Sequence, residues 1–213
     1  MTSGLFITLE GGEGAGKSTQ LARLAAALRA RGVEVVATRE PGGSPAAEQI
    51  RSLLLDPTAA EIDATTQALL FAAARRDHLR ATILPALARG AIVICDRFID
   101  STRAYQGAGG LDAGIIGSLE RIAIGDSLPD LTLILDLPVE TGMARAAARL
   151  GAALAGSDRF ERQSVAFHER VRSAFRAIAA AERERCVLID ASGDVETTCA
   201  AILAAVLPRL GPC

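Results

Sequence analysis

Short unbroken apolar runs, rich in β-branched residues, occupy positions 5–9, 33–38, 91–95, 131–137 and 186–189, and alanine-rich stretches separate them. A strand that is apolar at successive positions is buried on both faces, so five such runs alternating with helices predict a parallel sheet covered on each side. With right-handed crossovers this is an α/β three-layer sandwich whose ligands collect at the carboxyl ends of the strands. Helices are expected over 20–30, 46–55, 65–88 and 195–207, the third kinked or split near Pro85 and the last capped by Asp194. Two further helices within 140–176, joined by the small-residue run 150–157, predict a hinged flap. There is no internal repeat and no low-complexity linker, so the 213 residues read as a single domain.

The first apolar run stops in a glycine-rich turn followed by Lys-Ser-Thr. Gly11, Gly16, Lys17 and Ser18 satisfy G-x-x-x-x-G-K-[ST], the pattern of a phosphate-binding loop. Gly11, Gly12, Gly14 and Gly16 permit a backbone that turns consecutive N–H groups inward around an anion, with Glu13 and Ala15 between them. The helix from Gln20 aims its positive end at the same place. Lys17, followed by Ser18 and Thr19, is expected on the β and γ phosphates of a bound triphosphate, with the Ser18 hydroxyl on Mg²⁺. Lys17 is also the only lysine in the chain; all other Lys/Arg-type positions are arginine. A lysine kept only here points to a need for a compact ammonium rather than a planar guanidinium.

Composition narrows the picture without redirecting it. A net charge of −2 provides no general basic surface for nucleic acid or membrane, and no run of about 18 apolar residues occurs. Four cysteines, none in a C-x-x-C pair, read as small core residues of a reducing compartment, and without a secretory leader the expected location is cytoplasmic. Aromatics are 3% of the chain, so each one beside a motif carries weight.

The polar motifs fall where strands end. Arg39, Glu40 and Pro41 leave the second strand in a turn, which reads either as a ligand edge or as a solvated ion pair. Phe71 and Arg75 lie one helical turn apart, placed to stack a base and hold a phosphate, although such a Phe is often a core residue. Asp96 ends the third strand and is preferred over Asp136 as the Mg²⁺ carboxylate, because Arg97 adjoins it as a phosphate ligand. Ser101, Thr102, Tyr105 and Gln106 form a polar wall or a plain loop. The arginines of the flap, at 145, 149, 159, 162, 170, 172 and 176, can neutralise charge on a transferring phosphate, though most helical arginines are solvated or paired. Asp190, Ala191 and Ser192 follow the last strand and line an adenine pocket or simply precede the last helix.

Taken together, EGGEGAGKST (10–19), TREPGGS (38–44), LLFAAARR (69–76), DRFIDSTRAYQG (96–107) and PDLTLILDL (129–137) resemble the thymidylate kinases over nearly the whole chain. The resemblance implies a P-loop NTPase fold with a helical lid at about 145–162, transfer of the γ-phosphate of ATP·Mg²⁺ to dTMP, and a homodimer. By the same resemblance, Phe71 stacks on thymine, Arg75 and Gln106 contact the base or phosphate region, and Arg39, Arg51 and Arg97 bind the dTMP phosphate. Glu13 lies near the deoxyribose 3′-hydroxyl and, with Tyr105, favours a deoxynucleotide, while Ala191 and Ser192 belong to the ATP site. Some members carry a catalytic arginine inside the phosphate loop. Here that position is Ala15, so the lid must supply it, from Arg149 or Arg159. The nearest rivals are kinases of dCMP, GMP or dUMP; a rival of another class is a P-loop switch ATPase.

Overall fold

The computed structural model describes residues 4–56, 62–152, 160 and 163–210, with the backbone alone at 149–152. Five parallel strands, β1 (Phe6–Gly11), β2 (Val35–Arg39), β3 (Ile92–Asp96), β4 (Leu131–Asp136) and β5 (Cys186–Asp190), pair in the order β2-β3-β1-β4-β5. From β1 the chain runs first to the outer edge as β2, returns as β3 to the place between them, and then crosses to the other side of β1 for β4 and β5. The crevice at that reversal lies above the carboxyl end of β1.

Helices α1 (Lys17–Arg29), α2 (Pro45–Leu55), α3 (Ala64–His78), α4 (Leu84–Ala88), α5 (Ile99–Ala108), α6 (Ala113–Ile124), α7 (Val139–Ala152), α8 (Val165–Ala181) and α9 (Val195–Val206) cover the two faces. On one face Leu24 and Leu28 of α1 and Ile202 and Val206 of α9 pack on Ile7, Leu9, Leu133 and Leu135. On the other, Phe6 meets Phe98 edge to face at 4.9 Å, beside Val93, Leu79 and Ile83. Fully burying side chains of this size stabilises the fold by roughly 1.5–3 kcal/mol each. Within the sheet, Thr8 and Thr132 satisfy one another through a 2.9 Å hydroxyl contact. Cys95 and Cys186 are buried core residues with free thiols.

One boundary differs from the sequence expectation, and the break expected near Pro85 is present. β2 starts at Val35 because the Val33 N–H bonds back to the Leu28 carbonyl and finishes the turn after α1. The long helix over 65–88 is interrupted by a π-helical turn, Leu79–Ile83, one turn ahead of Pro85. Proline has no N–H and its ring crowds the carbonyl four residues earlier, and the widened turn relieves that conflict while the chain stays helical. The expected N-cap of α9 is present: Asp194 accepts from Thr197 N at 2.7 Å.

Candidate active site

The phosphate loop is shaped by glycine at the end of β1. Gly14 has φ +67°, and a Cβ there would lie 2.0 Å from the Gly142 carbonyl oxygen, so the loop rests on the first turn of α7 with no room for a side chain. α1 begins after Gly16, which has φ +86° and offers no side-chain cap, whereas α3, α6, α8 and α9 are capped by Asp63, Asp112, Ser164 and Asp194. The first amides of α1 thus stay available to an anion. The Lys17 ammonium donates to the Gly11 and Gly12 carbonyls at 3.1 and 2.8 Å. Its burial and the nearby Arg97 pull its pKa down to about 8, against the opposing pull of Glu13, Asp96 and Glu10.

At the start of α1 the Ser18 hydroxyl donates to Asp96 Oδ2 at 2.6 Å. Both residues line one cavity of about 460 Å³. A hydroxyl beside a carboxylate suits Mg²⁺, which takes few protein oxygens and fills its octahedron with phosphate and water. Among the described residues no cluster of three or more His, Cys, Asp or Glu that could hold a metal ion occurs. Asp136, the alternative carboxylate, is engaged elsewhere: Arg172 grips it through two hydrogen bonds and Arg176 through a third.

Opposite the loop stands Arg97, in the left-handed region at φ +69°, a conformation uncommon outside glycine. Its guanidinium bonds Glu13 Oε1 at 2.8 Å, the Gly11 carbonyl, Ser101 Oγ and the Tyr105 hydroxyl, and lies 4.9 Å from the Tyr105 ring centroid. The Tyr105 hydroxyl donates to Glu13 at 2.6 Å. Burial alone would raise the Glu13 pKa, but Arg97, Lys17 and Tyr105 together hold it down at about 2. Below this group lies Glu10, fully buried, accepting from the Phe98 N–H and from the Ser101 hydroxyl.

The end of the cavity away from the loop is bounded by Phe71, Arg75, Gln106 and Phe160. Arg75 is 3% exposed and braced on three sides, by Glu40 at 2.7 Å, Thr102 Oγ1 at 3.1 Å and the Phe98 carbonyl at 3.0 Å. The other Glu40 oxygen meets His78 Nδ1 at 3.0 Å, and His78 Nε2 meets Thr38 Oγ1 at 2.8 Å. Gly43 has to be glycine here, since a Cβ would lie 2.3 Å from His78 Nε2. Phe160 places its ring 6.0 Å from Phe71 and 5.9 Å from Tyr105, while Gln106 reaches Gln67 at 3.4 Å. Arg39 pairs with Glu48, and Arg51 donates to the Pro41 carbonyl at 2.7 Å; both arginines line the same cavity.

The cavity therefore unites Glu13, Gly14, Ala15, Gly16, Lys17, Ser18 and Thr19 with Arg39, Glu40, Pro41, Arg51, Phe71, Arg75, Asp96, Arg97, Ser101, Thr102, Tyr105 and Gln106. Gly11 and Gly12 lie behind the loop, and Ala191 and Ser192 stand apart from the cavity at the end of β5, where the Ala191 carbonyl accepts from Arg145 at 3.2 Å. Arg170 lies over Phe167. The Arg149 side chain, Arg159, Arg162 and most of the segment joining α7 to α8 lie outside the described residues. Glu10, His78 and Phe160 are among the site residues that sequence reasoning missed. Each left a trace: a carboxylate closing an apolar strand, a histidine seven residues beyond Phe71 on the same helix face, and one of few aromatics within an arginine-rich flap.

The family model for thymidylate kinase matches residues 9–202. The chain is 56% identical to a thymidylate kinase of Caulobacter vibrioides over 99% of its own length and 100% of the relative's, and 54% identical to one of Nitrobacter hamburgensis over 97% and 90%. The crystal structure of thymidylate kinase from Ehrlichia chaffeensis superposes with a TM-score of 0.76 at 36% identity, covering 96% of this chain and 99% of that one. With a sheet, phosphate loop and arginine-lined cavity of the expected kind, the chain belongs to the thymidylate kinase family.

Proposed function

We propose that the protein transfers the γ-phosphate of ATP to dTMP, giving dTDP and ADP and so supplying dTTP synthesis. The observation that carries this reading is the meeting, in one cavity, of an uncapped helix start with Lys17 on one side and Arg97 with an aromatic wall on the other. A triphosphate donor fits the first and a phosphate-bearing acceptor the second.

The division of labour follows from phosphoryl transfer, which needs in-line positioning and charge neutralisation more than a strong base. The loop amides and Lys17 hold the β and γ phosphates, and the last strand's Ala191 and Ser192 border the adenine. Ser18 and Asp96 would hold Mg²⁺, which would supply charge neutralisation to the bound triphosphate. Arg39, Arg51 and Arg97 fix the dTMP phosphate so that one of its oxygens faces the γ-phosphorus. Phe71 stacks on thymine, Arg75 and Gln106 contact the base or phosphate region, Glu40 and Pro41 shape the turn beneath it, and Ser101 and Thr102 support Arg97 and Arg75. Glu13 and Tyr105 close around the sugar and favour deoxyribose. A lid at about 145–162 closes the site, excludes water and brings Arg149 or Arg159 to the transferring phosphate.

The chain functions as a single kinase domain in the cytoplasm, without a nucleic-acid or membrane partner; among the described residues no helix is long and apolar enough to cross a membrane. It acts as a homodimer. Leu53 of α2, Leu69 of α3 and Ile115 and Ile122 of α6, on helices that pack side by side, remain exposed and support that assembly.

A coupled assay of ADP release across dTMP, dUMP, dCMP and GMP, with product identification, tests the reading. Strong preference for a base other than thymine overturns the substrate assignment, and ATP turnover that ignores all four overturns the kinase assignment.

A further inference from the structure

Arg97 does its work from an awkward backbone. A side chain with β-carbon at φ +69° is disfavoured, and it persists only where neighbouring groups hold it. The Arg97 N–H is held by the Leu9 carbonyl at 2.9 Å. The next amide, on Phe98, donates to Glu10 Oε1 at 2.7 Å, so the peptide leaving Arg97 is pinned by a carboxylate. The other Glu10 oxygen takes the hydroxyl proton of Ser101, and the Ser101 oxygen in turn accepts from Arg97 Nη1 at 3.1 Å. Glu10 is fully buried. A carboxylate is costly in such a place unless its oxygens are satisfied, and a neutral apolar residue would cap β1 more cheaply.

We propose that Glu10 is a positioning residue for the acceptor phosphate: its carboxylate fixes the Arg97–Phe98 backbone and, through the Ser101 hydroxyl, the Arg97 guanidinium. The polarity of the relay is what matters. Because the Ser101 proton is committed to Glu10, its lone pairs face Arg97. An amide in place of the carboxylate offers one oxygen and one NH₂. If the oxygen keeps the Phe98 N–H, the NH₂ faces Ser101, whose hydroxyl must turn and lose its present donor role. Arg97 then loses both a neighbouring negative charge and the alignment of one of its bonds. Lys17 and the uncapped amides of α1, which hold the donor, make no hydrogen bond to Glu10, so the two substrates should respond differently.

This inference rests on the reading of Arg97 as a ligand of the dTMP phosphate, and a double-mutant cycle separates the two. Binding of dTMP and of ATP is measured by calorimetry, in buffer well above pH 7 so that Glu10 is ionised, for the full-length wild type, Glu10→Gln, Arg97→Ala and the double variant. The expected result is that Glu10→Gln weakens dTMP binding by roughly tenfold to a hundredfold, as loss of alignment at a charged hydrogen bond does, while ATP binding is kept. In the Arg97→Ala background the same change should add almost nothing. Equal loss of both ligands, or a full Glu10→Gln effect without Arg97, overturns the proposal. If Arg97→Ala itself leaves dTMP binding intact, the failure belongs to the substrate-site reading. Should Glu10→Gln not fold, Ser101→Ala is used in its place. It removes the relay hydroxyl alone and must reproduce the selective loss of dTMP binding; unchanged dTMP affinity then overturns the proposal.

Discussion

The Ser18 hydroxyl donates to Asp96 at 2.6 Å, joining the first turn of α1 to the carboxyl end of β3. The contact closes a distance of 78 residues in sequence and sets a hydroxyl and a carboxylate at the mouth of the phosphate loop. If this pair holds Mg²⁺, Asp96→Asn keeps the size of the side chain but removes the charge that draws the ion. Turnover should fall by at least ~10², as loss of a charge-stabilising contact does, and the Mg²⁺ concentration for half-maximal rate should rise. Chelation of the metal from the wild type should abolish transfer. An Asp96→Asn enzyme with an unchanged Mg²⁺ titration would move the metal ligand elsewhere.

Ala15 is 3% exposed and packed within the loop, so no arginine arises from that position. If the lid supplies the arginine that meets the transferring phosphate, its loss should slow the chemistry and leave binding intact. Arg159→Ala is expected to lower kcat by at least ~10² with little change in the KM for dTMP, the pattern of an interaction made in the transition state. Near-normal turnover in that variant would transfer the role to Arg149.

The Glu40 carboxylate is shared by Arg75 and His78, with all three side chains buried. Removing one partner leaves a buried charge uncompensated. Arg75→Met should therefore destabilise the fold by about 3–5 kcal/mol. His78→Ala should cost less, about 1–3 kcal/mol, because the Arg75–Glu40 ion pair survives. Denaturant unfolding of the two variants measures the order, and a His78 variant as unstable as the Arg75 variant would contradict it.

Much of this architecture is legible in the sequence because the physics is local. Continuous apolar runs announce strands covered on both faces, and the loop glycines announce a backbone no other residue adopts easily. The edge of the cavity is legible too, since Arg39, Asp96 and Arg97 stand directly where apolar runs stop. What escapes notice depends on distance in the chain. Glu10 is a lone acid in an apolar segment until Phe98 and Ser101, 88 and 91 residues on, arrive at its two oxygens. His78 gains its meaning from Thr38 and Glu40 across the β2 turn. Asp136 and Asp96 each end a buried strand and look alike in sequence; only the arginines of α8 separate them, by engaging Asp136.

Burial, and next the charge of Asp100, raise the Glu10 pKa to about 7 from an ordinary 4.5, while Ser101, Arg97 and the Phe98 N–H pull the other way and Lys17 faces it across the loop. The folded chain thus holds this proton more tightly than the unfolded chain. The resulting stability is complete below pH 4.5 and is lost as the pH rises through about 7. Between those limits the melting temperature of the wild type should fall relative to that of Glu10→Gln, and above them the difference should be constant. Parallel pH profiles for the two proteins would show that Glu10 does not titrate in this window.

Lys17 offers the most direct check on the loop because it is the only lysine in the chain. Burial, and then Arg97, lower its pKa to about 8, so half of the ε-amines are neutral and nucleophilic at that pH instead of a trace. Reaction of the folded protein with a small amine-selective reagent should reach half its limiting rate near pH 8, located at Lys17 by peptide mapping. Saturating ATP·Mg²⁺ should suppress that label by occupying the loop and drawing the ammonium into its phosphates, which also restores the charged form. dTMP alone should protect weakly, since its phosphate is assigned to Arg97 on the opposite wall. Labelling indifferent to ATP·Mg²⁺ would mean that the nucleotide binds away from this loop, and would take with it the division of the cavity into a donor half and an acceptor half.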